Sequence, residues 1–161
     1  MAASPAARER PVTAPESLGD YRLLTGDAAA RAEAAVLAGR RKPDIGRFWY
    51  YDKDGDEVVH ALFLARSTVW DPELRGEKER DSVSQEFRNF FAGAKAHDVR
   101  EFAPGPDGGG LSCGYTTGPD GDRAICAWSG ATTFGVLRLA DPTGLPDAAR
   151  LALALRTTSK N

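Results

Sequence analysis

Cysteine, histidine and methionine are scarce in this chain: its 161 residues hold two cysteines, two histidines and one methionine. A zinc site takes four ligands, and no Cys-x-x-Cys or His-x-x-x-His spacing groups Cys113 and Cys126 with His60 and His97, so no metal and no cofactor is expected. A thioredoxin-type redox pair also needs Cys-x-x-Cys at a helix start, which is missing. Charge of one sign is lacking too. The net charge of −2 makes no electrostatic case for nucleic acid or an acidic membrane surface, and the cluster Arg40-Arg41-Lys42 reads as a solvated helix end. Long hydrophobic runs are absent. The longest, Ala61 to Ala65 and Leu151 to Leu155, fall far short of the roughly 20 residues that span a bilayer. The start, MAASPAARERPVTAP, has no apolar core of a secretory signal.

What is there centres on one hairpin. Gly118-Pro119-Asp120-Gly121 is a turn signal, because Pro119 presets φ and Asp120 can bond its own backbone. If Gly118 faces Gly121, Thr117 meets Asp122, Tyr115 meets Ala124 and Cys113 meets Cys126. Opposed residues of an antiparallel pair lie about 4.5 to 5.5 Å apart between Cα atoms, within disulfide range. Pro-Asp is not a primed-turn pair, so a four-residue loop is expected over a two-residue one. The register predicts a structural disulfide, Cys113–Cys126, and with it an oxidising compartment. Two reduced thiols acting as small core residues in a cytoplasmic protein remain the alternative.

The first 17 residues, rich in Pro, Ala and Arg, read as a flexible stalk or tail, and residues 18–158 as one α+β domain. A stalk of this kind would follow a removed membrane or lipoprotein anchor, with Met1 an artificial start; a native Met1 goes with the cytoplasmic alternative. After a short lead-in, Asp27 to Ala38 is a helix of strong formers closed by Gly39 and Pro43. Residues 46–67 read as a β-hairpin around Lys53-Asp54-Gly55, and Val58 to Ala65 is apolar on both alternating faces, as in a strand covered on both sides. Ser82 with Gln85 makes a capping box, followed by a helix with Val83, Phe87, Phe90, Phe91 and Ala94 on one face. A short strand then runs into the glycine-rich turn Gly108 to Gly110. The cysteine hairpin and a strand from Thr132 to Leu139 complete a meander, and Pro146 opens a last helix to about Arg156, with Leu151 and Leu155 inward. The fold class is therefore an antiparallel sheet, hairpin plus meander, with about three helices packed on it.

Other motifs dissolve on inspection. Asp52, Asp54 and Asp56 imitate the first half of an EF-hand loop, but Phe63 stands where calcium needs a bidentate Glu. The triple glycine precedes a strand, and neither a Walker pattern nor Gly-x-Gly-x-x-Gly surrounds it. Ser129, His60, His97 and the three aspartates could serve a hydrolase only if the fold assembled them, since no Gly-x-Ser-x-Gly or similar signature does so locally.

The residues Gly109-Gly110, Cys113, Cys126-Ala127-Trp128, Thr132-Thr133 and Gly135-Val136, ahead of a leucine-rich final helix, resemble the soluble domains of membrane-anchored proteins and lipoproteins of high-GC actinobacteria such as streptomycetes. The resemblance covers the last third of the chain well and the Phe-bearing helix loosely. It implies an extracytoplasmic location, an anchor and a disulfide, and it carries over no catalytic residue. The function expected is a binding or sensory module for a protein, peptide or envelope component, and not an enzyme. Trp49, Tyr51 and Trp70 are its candidate contact residues, because aromatic side chains anchor interfaces. A small hydrolase with an unrecognised site, or a cytoplasmic interaction protein with free thiols, are the competing readings.

Overall fold

The computed structural model describes residues 14–39, 47–53, 61–67, 87–106, 108–119, 121–129 and 133–158. The elements in chain order are β1 (Ser17–Leu18), β2 (Tyr21–Leu23), α1 (Gly26–Leu37), β3 (Arg47–Lys53) and β4 (Ala61–Ser67). Helix α2, described over residues 87–93, is followed by β5 (His97–Phe102), β6 (Gly110–Gly118), β7 (Gly121–Ser129), β8 (Thr133–Leu139) and α3 (Leu145–Thr158). All strand pairs are antiparallel, and the order across the sheet is β1-β2-β3-β4-β8-β7-β6-β5. The protein is an α+β fold. Two meanders, β1 to β4 and β5 to β8, join where β8 returns beside β4.

Strand alternation gives the sheet two different apolar faces. On one face Leu111, Cys113, Ala124, Cys126, Trp128, Leu137, Leu139 and Tyr51 cluster with Leu145, Ala148, Ala149, Ala152 and Leu155 of α3. Spacings of three, four and seven put those α3 residues on one stripe, and the alanines at its centre let the helix lie close to the strands. Leu155 is inward as the pattern predicts, while Leu151 is half-buried and reaches the β1–β2 turn, its Cδ2 3.1 Å from where a Cβ on Gly19 would stand. Gly19 has φ 61°, a left-handed conformation that glycine adopts without cost. On the opposite face Ile125, Ala127 and Val136 pack with Phe91 of α2, flanked by Phe87, Phe90, Ala94 and Ala96. The aromatic stripe read from the sequence is thus core. Tyr50, of opposite parity to Tyr51, faces α1, where its hydroxyl donates to Glu33 Oε2 at 3.4 Å.

Four local expectations change. The lead-in is itself a hairpin: Leu18 pairs with Tyr21, and Leu23 of β2 pairs with Tyr51 of β3. Two- and three-residue strands are too short for alternation to show, so only the sheet edge they pair with reveals them. The stalk read over residues 1–17 overlaps this hairpin, because β1 begins at Ser17 and Tyr51 donates to the Pro15 carbonyl at 2.9 Å. The left-handed residue ending α1 is Ala38, φ 47°, with Gly39 following at φ 84°. The hairpin loop is two residues long, since Gly118 and Gly121 already pair, and Gly121 at φ 112° supplies the backbone freedom that Pro-Asp lacks. The turn at 54–55, Val58, Val59, the capping box Ser82–Gln85 and the basic cluster 40–42 lie outside the described residues.

Candidate functional site

The disulfide is where the register placed it. Cys113 and Cys126 pair across β6 and β7 with Cα atoms 4.0 Å apart and an S–S bond of 2.09 Å. Counted outward from the closing pair Gly118–Gly121, they fall on a non-hydrogen-bonded site, where opposed Cα atoms come closest. Both are buried in the cluster beneath α3, with exposures of 0% and 1%. The bridge is therefore part of the core and shielded from solvent thiols.

The aromatic candidates separate. Tyr51 has no exposed surface and donates its hydroxyl to Pro15, so it is a core residue and offers nothing to a partner; burial pushes its phenol well above the usual range. Two-sided burial is invisible in a strand whose neighbours are unknown, so the aromatic run Trp49-Tyr50-Tyr51 could offer contact candidates without showing which of them are core. Trp49 is half-buried against the same cluster. Trp70 lies outside the described residues.

Of the residues considered for a hydrolase, Ser129 is buried at the end of β7 and Asp52 is buried on β3 across from Arg22. His60, Asp54 and Asp56 lie outside the described residues. His97 lies at the start of β5, on the sheet edge, far along the strand order from Asp52 on β3.

His97 nevertheless has company. Its Nδ1 is 2.9 Å from Asp98 Oδ2 and its Nε2 is 3.1 Å from Thr117 Oγ1. The Thr117 hydroxyl donates to Asp122 Oδ1 at 2.8 Å, and that same oxygen lies 3.5 Å from Nε2. Hydroxyl, imidazole and carboxylate are thus linked in the order of a catalytic triad. The proton runs the wrong way for one. Thr117 spends its hydrogen on Asp122, so Nε2 must donate to the threonine oxygen while Nδ1 donates to Asp98, and only the imidazolium donates from both nitrogens. The hydrogen bond to Asp98 leads in raising the His97 pKa from 6.5; desolvation opposes it, and the charge and hydrogen bond of Asp122 and the charge of Asp98 add to the rise. A cation has no lone pair with which to act as a base.

Sequence reasoning placed Thr117 opposite Asp122 but did not bring His97 to them. The missing link is the β5–β6 pairing, in which His97 faces Tyr115, two residues from Thr117. The only local signal was the dipeptide His97-Asp98.

Among the described residues no group of three or more His, Cys, Asp or Glu side chains could hold a metal ion. No described helix is long and apolar enough to cross a membrane. No family model, curated protein or solved structure matches the chain.

Proposed function

We propose that this chain is a disulfide-stapled binding or sensory module that works outside the cytoplasm, held to a bacterial membrane by an anchor and recognising a protein, peptide or envelope component. The observation that carries the reading is the buried Cys113–Cys126 bridge, since disulfides form and persist in oxidising compartments. Cross-linking two adjacent strands restricts the unfolded chain and serves a small domain exposed to an uncontrolled environment. The contact surface would lie away from Tyr51, with Trp49 and Trp70 the remaining aromatic candidates. The hydrolase reading draws on the Thr117–His97–Asp98 chain and is weakened by the direction of its protons.

The test is the thiol state of the endogenous protein. Cells are quenched in acid, free thiols are blocked, and intact mass is read before and after reduction, alongside fractionation of membrane and cytoplasm. The reading expects both cysteines to be protected until reduction and the protein to leave with the envelope fraction. Free thiols in a cytoplasmic fraction would overturn it.

A further inference from the structure

Among the described residues, strand β5 forms one margin of the sheet and pairs only with β6. Its pairing is irregular. His97 faces Tyr115 and Arg100 faces Cys113, so β5 spends two residues, Asp98 and Val99, where β6 spends one, Gly114. This is a β-bulge, and three features build it. Asp98 takes the left-handed backbone conformation, φ 56°, which aspartate tolerates better than most residues. Val99 folds over Gly114, its Cγ2 2.8 Å from where a Cβ would stand, so a side chain at 114 would collide with it. Finally, His97 is tied on both sides, to the Asp98 carboxylate and to the Thr117–Asp122 pair that closes the β6–β7 hairpin.

We propose that His97 is a pH-sensitive latch: its protonated ring clamps the bulge of the edge strand β5 to the β6–β7 hairpin, and deprotonation releases that clamp. The argument rests on hydrogen-bond counting. With Thr117 donating to Asp122, both ring nitrogens face acceptors, and a neutral imidazole has one N–H to share between them. Loss of the proton leaves two hydrogens, one on the ring and one on the Thr117 hydroxyl, for three links, so one must break: the tie to Asp98 that holds the left-handed residue, the tie to Thr117, or the Thr117–Asp122 bond that holds the hairpin. The groups around the ring agree in sign. Asp98 comes from β5 itself and Asp122 from β7, while β6 presents the neutral Thr117 and the Tyr115 ring, whose centroid is 6.0 Å away. Arg123 of β7 turns its Nη1 to the Asp122 carbonyl at 2.9 Å. Bulges keep edge strands from pairing with other chains, so a clamp on this one controls how well the edge is guarded. The inference does not depend on the proposed function.

The latch is tested by following the His97 ring proton by NMR from pH 5 to 9 together with exchange protection of the β5 amides, each expressed against the rate of an unstructured peptide at the same pH. The His97 midpoint lies above 6.5 and falls in both Asp98→Asn and Asp122→Asn. Protection of residues 98–100 drops about two- to fivefold across that midpoint, the range of an exposed ion pair, and stays level with pH in His97→Gln. A midpoint at or below 6.5, or protection that does not follow the ring, overturns the latch. Both outcomes can be read in the folded protein, because all four side chains are solvent-exposed.

Discussion

Trp128 and Gly135 face each other across β7 and β8, and the indole occupies the space that a side chain at 135 would need. A Cβ built on Gly135 would stand 2.1 Å from Trp128 Cζ2 and 2.2 Å from Cε2. The glycine is there for packing. Trp128 is 3% exposed and belongs to the cluster that includes the disulfide, so its ring has little room to move aside.

Gly135→Ala therefore destabilises the fold by about 1 to 3 kcal/mol, the range for overpacking a well-filled core. Urea denaturation measures the loss, and near-ultraviolet circular dichroism shows the displaced indole. In a Trp128→Leu background the same alanine costs less, because the atoms it collides with are gone. Equal costs in both backgrounds would mean that the strand itself, not the indole, resists the substitution.

The Cys113–Cys126 bridge spans 13 residues in sequence, and on the chain-entropy model a loop of this size contributes roughly 3 kcal/mol. Cys113→Ala/Cys126→Ala should lower the urea midpoint accordingly. Because both sulfurs lie beneath α3, reductant reaches them only when the helix lifts or the domain unfolds. The rate of reduction at fixed thiol concentration should climb steeply with urea well below the unfolding midpoint. A fast reduction rate independent of urea would place the bridge in contact with solvent.

Tyr21, Tyr50 and Tyr51 resist ionisation. Burial, followed by the Asp141 carboxylate, pushes Tyr21 up to about 12, and burial followed by Glu33 does the same to Tyr50. Tyr51 is pushed higher still, by burial alone. Where pH exceeds the usual phenol value of 10 but not the folded one, the native state holds more protons than the unfolded state, so stability falls as pH rises from about 10 towards 12. Phenolate absorbance should show these residues ionising together with unfolding. Tyr51→Phe, which removes the donor to Pro15, costs about 1 kcal/mol and frees residues 14–16 for proteolysis at neutral pH.

Much of the architecture was legible because it is written in short range. One turn at Gly118–Gly121 numbers every pair of the β6–β7 hairpin, including the cysteines, since an antiparallel register has a constant sum. Phe87, Phe90 and Phe91 recur at helical spacing, and residues Leu145 to Leu155 carry a period that survives without knowledge of any neighbour. The two-residue strand β1 has no period to show, and the loop length misled because Pro119-Asp120 was weighed without the two glycines around it.

The site was less legible, for a physical reason. His97 meets Thr117 and Asp122 only after β5 has paired with β6 and slipped by one residue at Asp98, and a slip of one residue changes every side-chain partner beyond it. No spacing along the chain encodes that slip.

The sequence by itself therefore determined the fold class, the final helix and the pairing of Cys113 with Cys126, because each depends on local periodicity or on one turn. Only the tertiary structure decided that β8 returns beside β4, that Tyr51 is core, and that His97 sits between two carboxylates. Those outcomes depend on which strands become neighbours and which face a helix covers, and burial is a property of neighbours that the chain acquires only when folded.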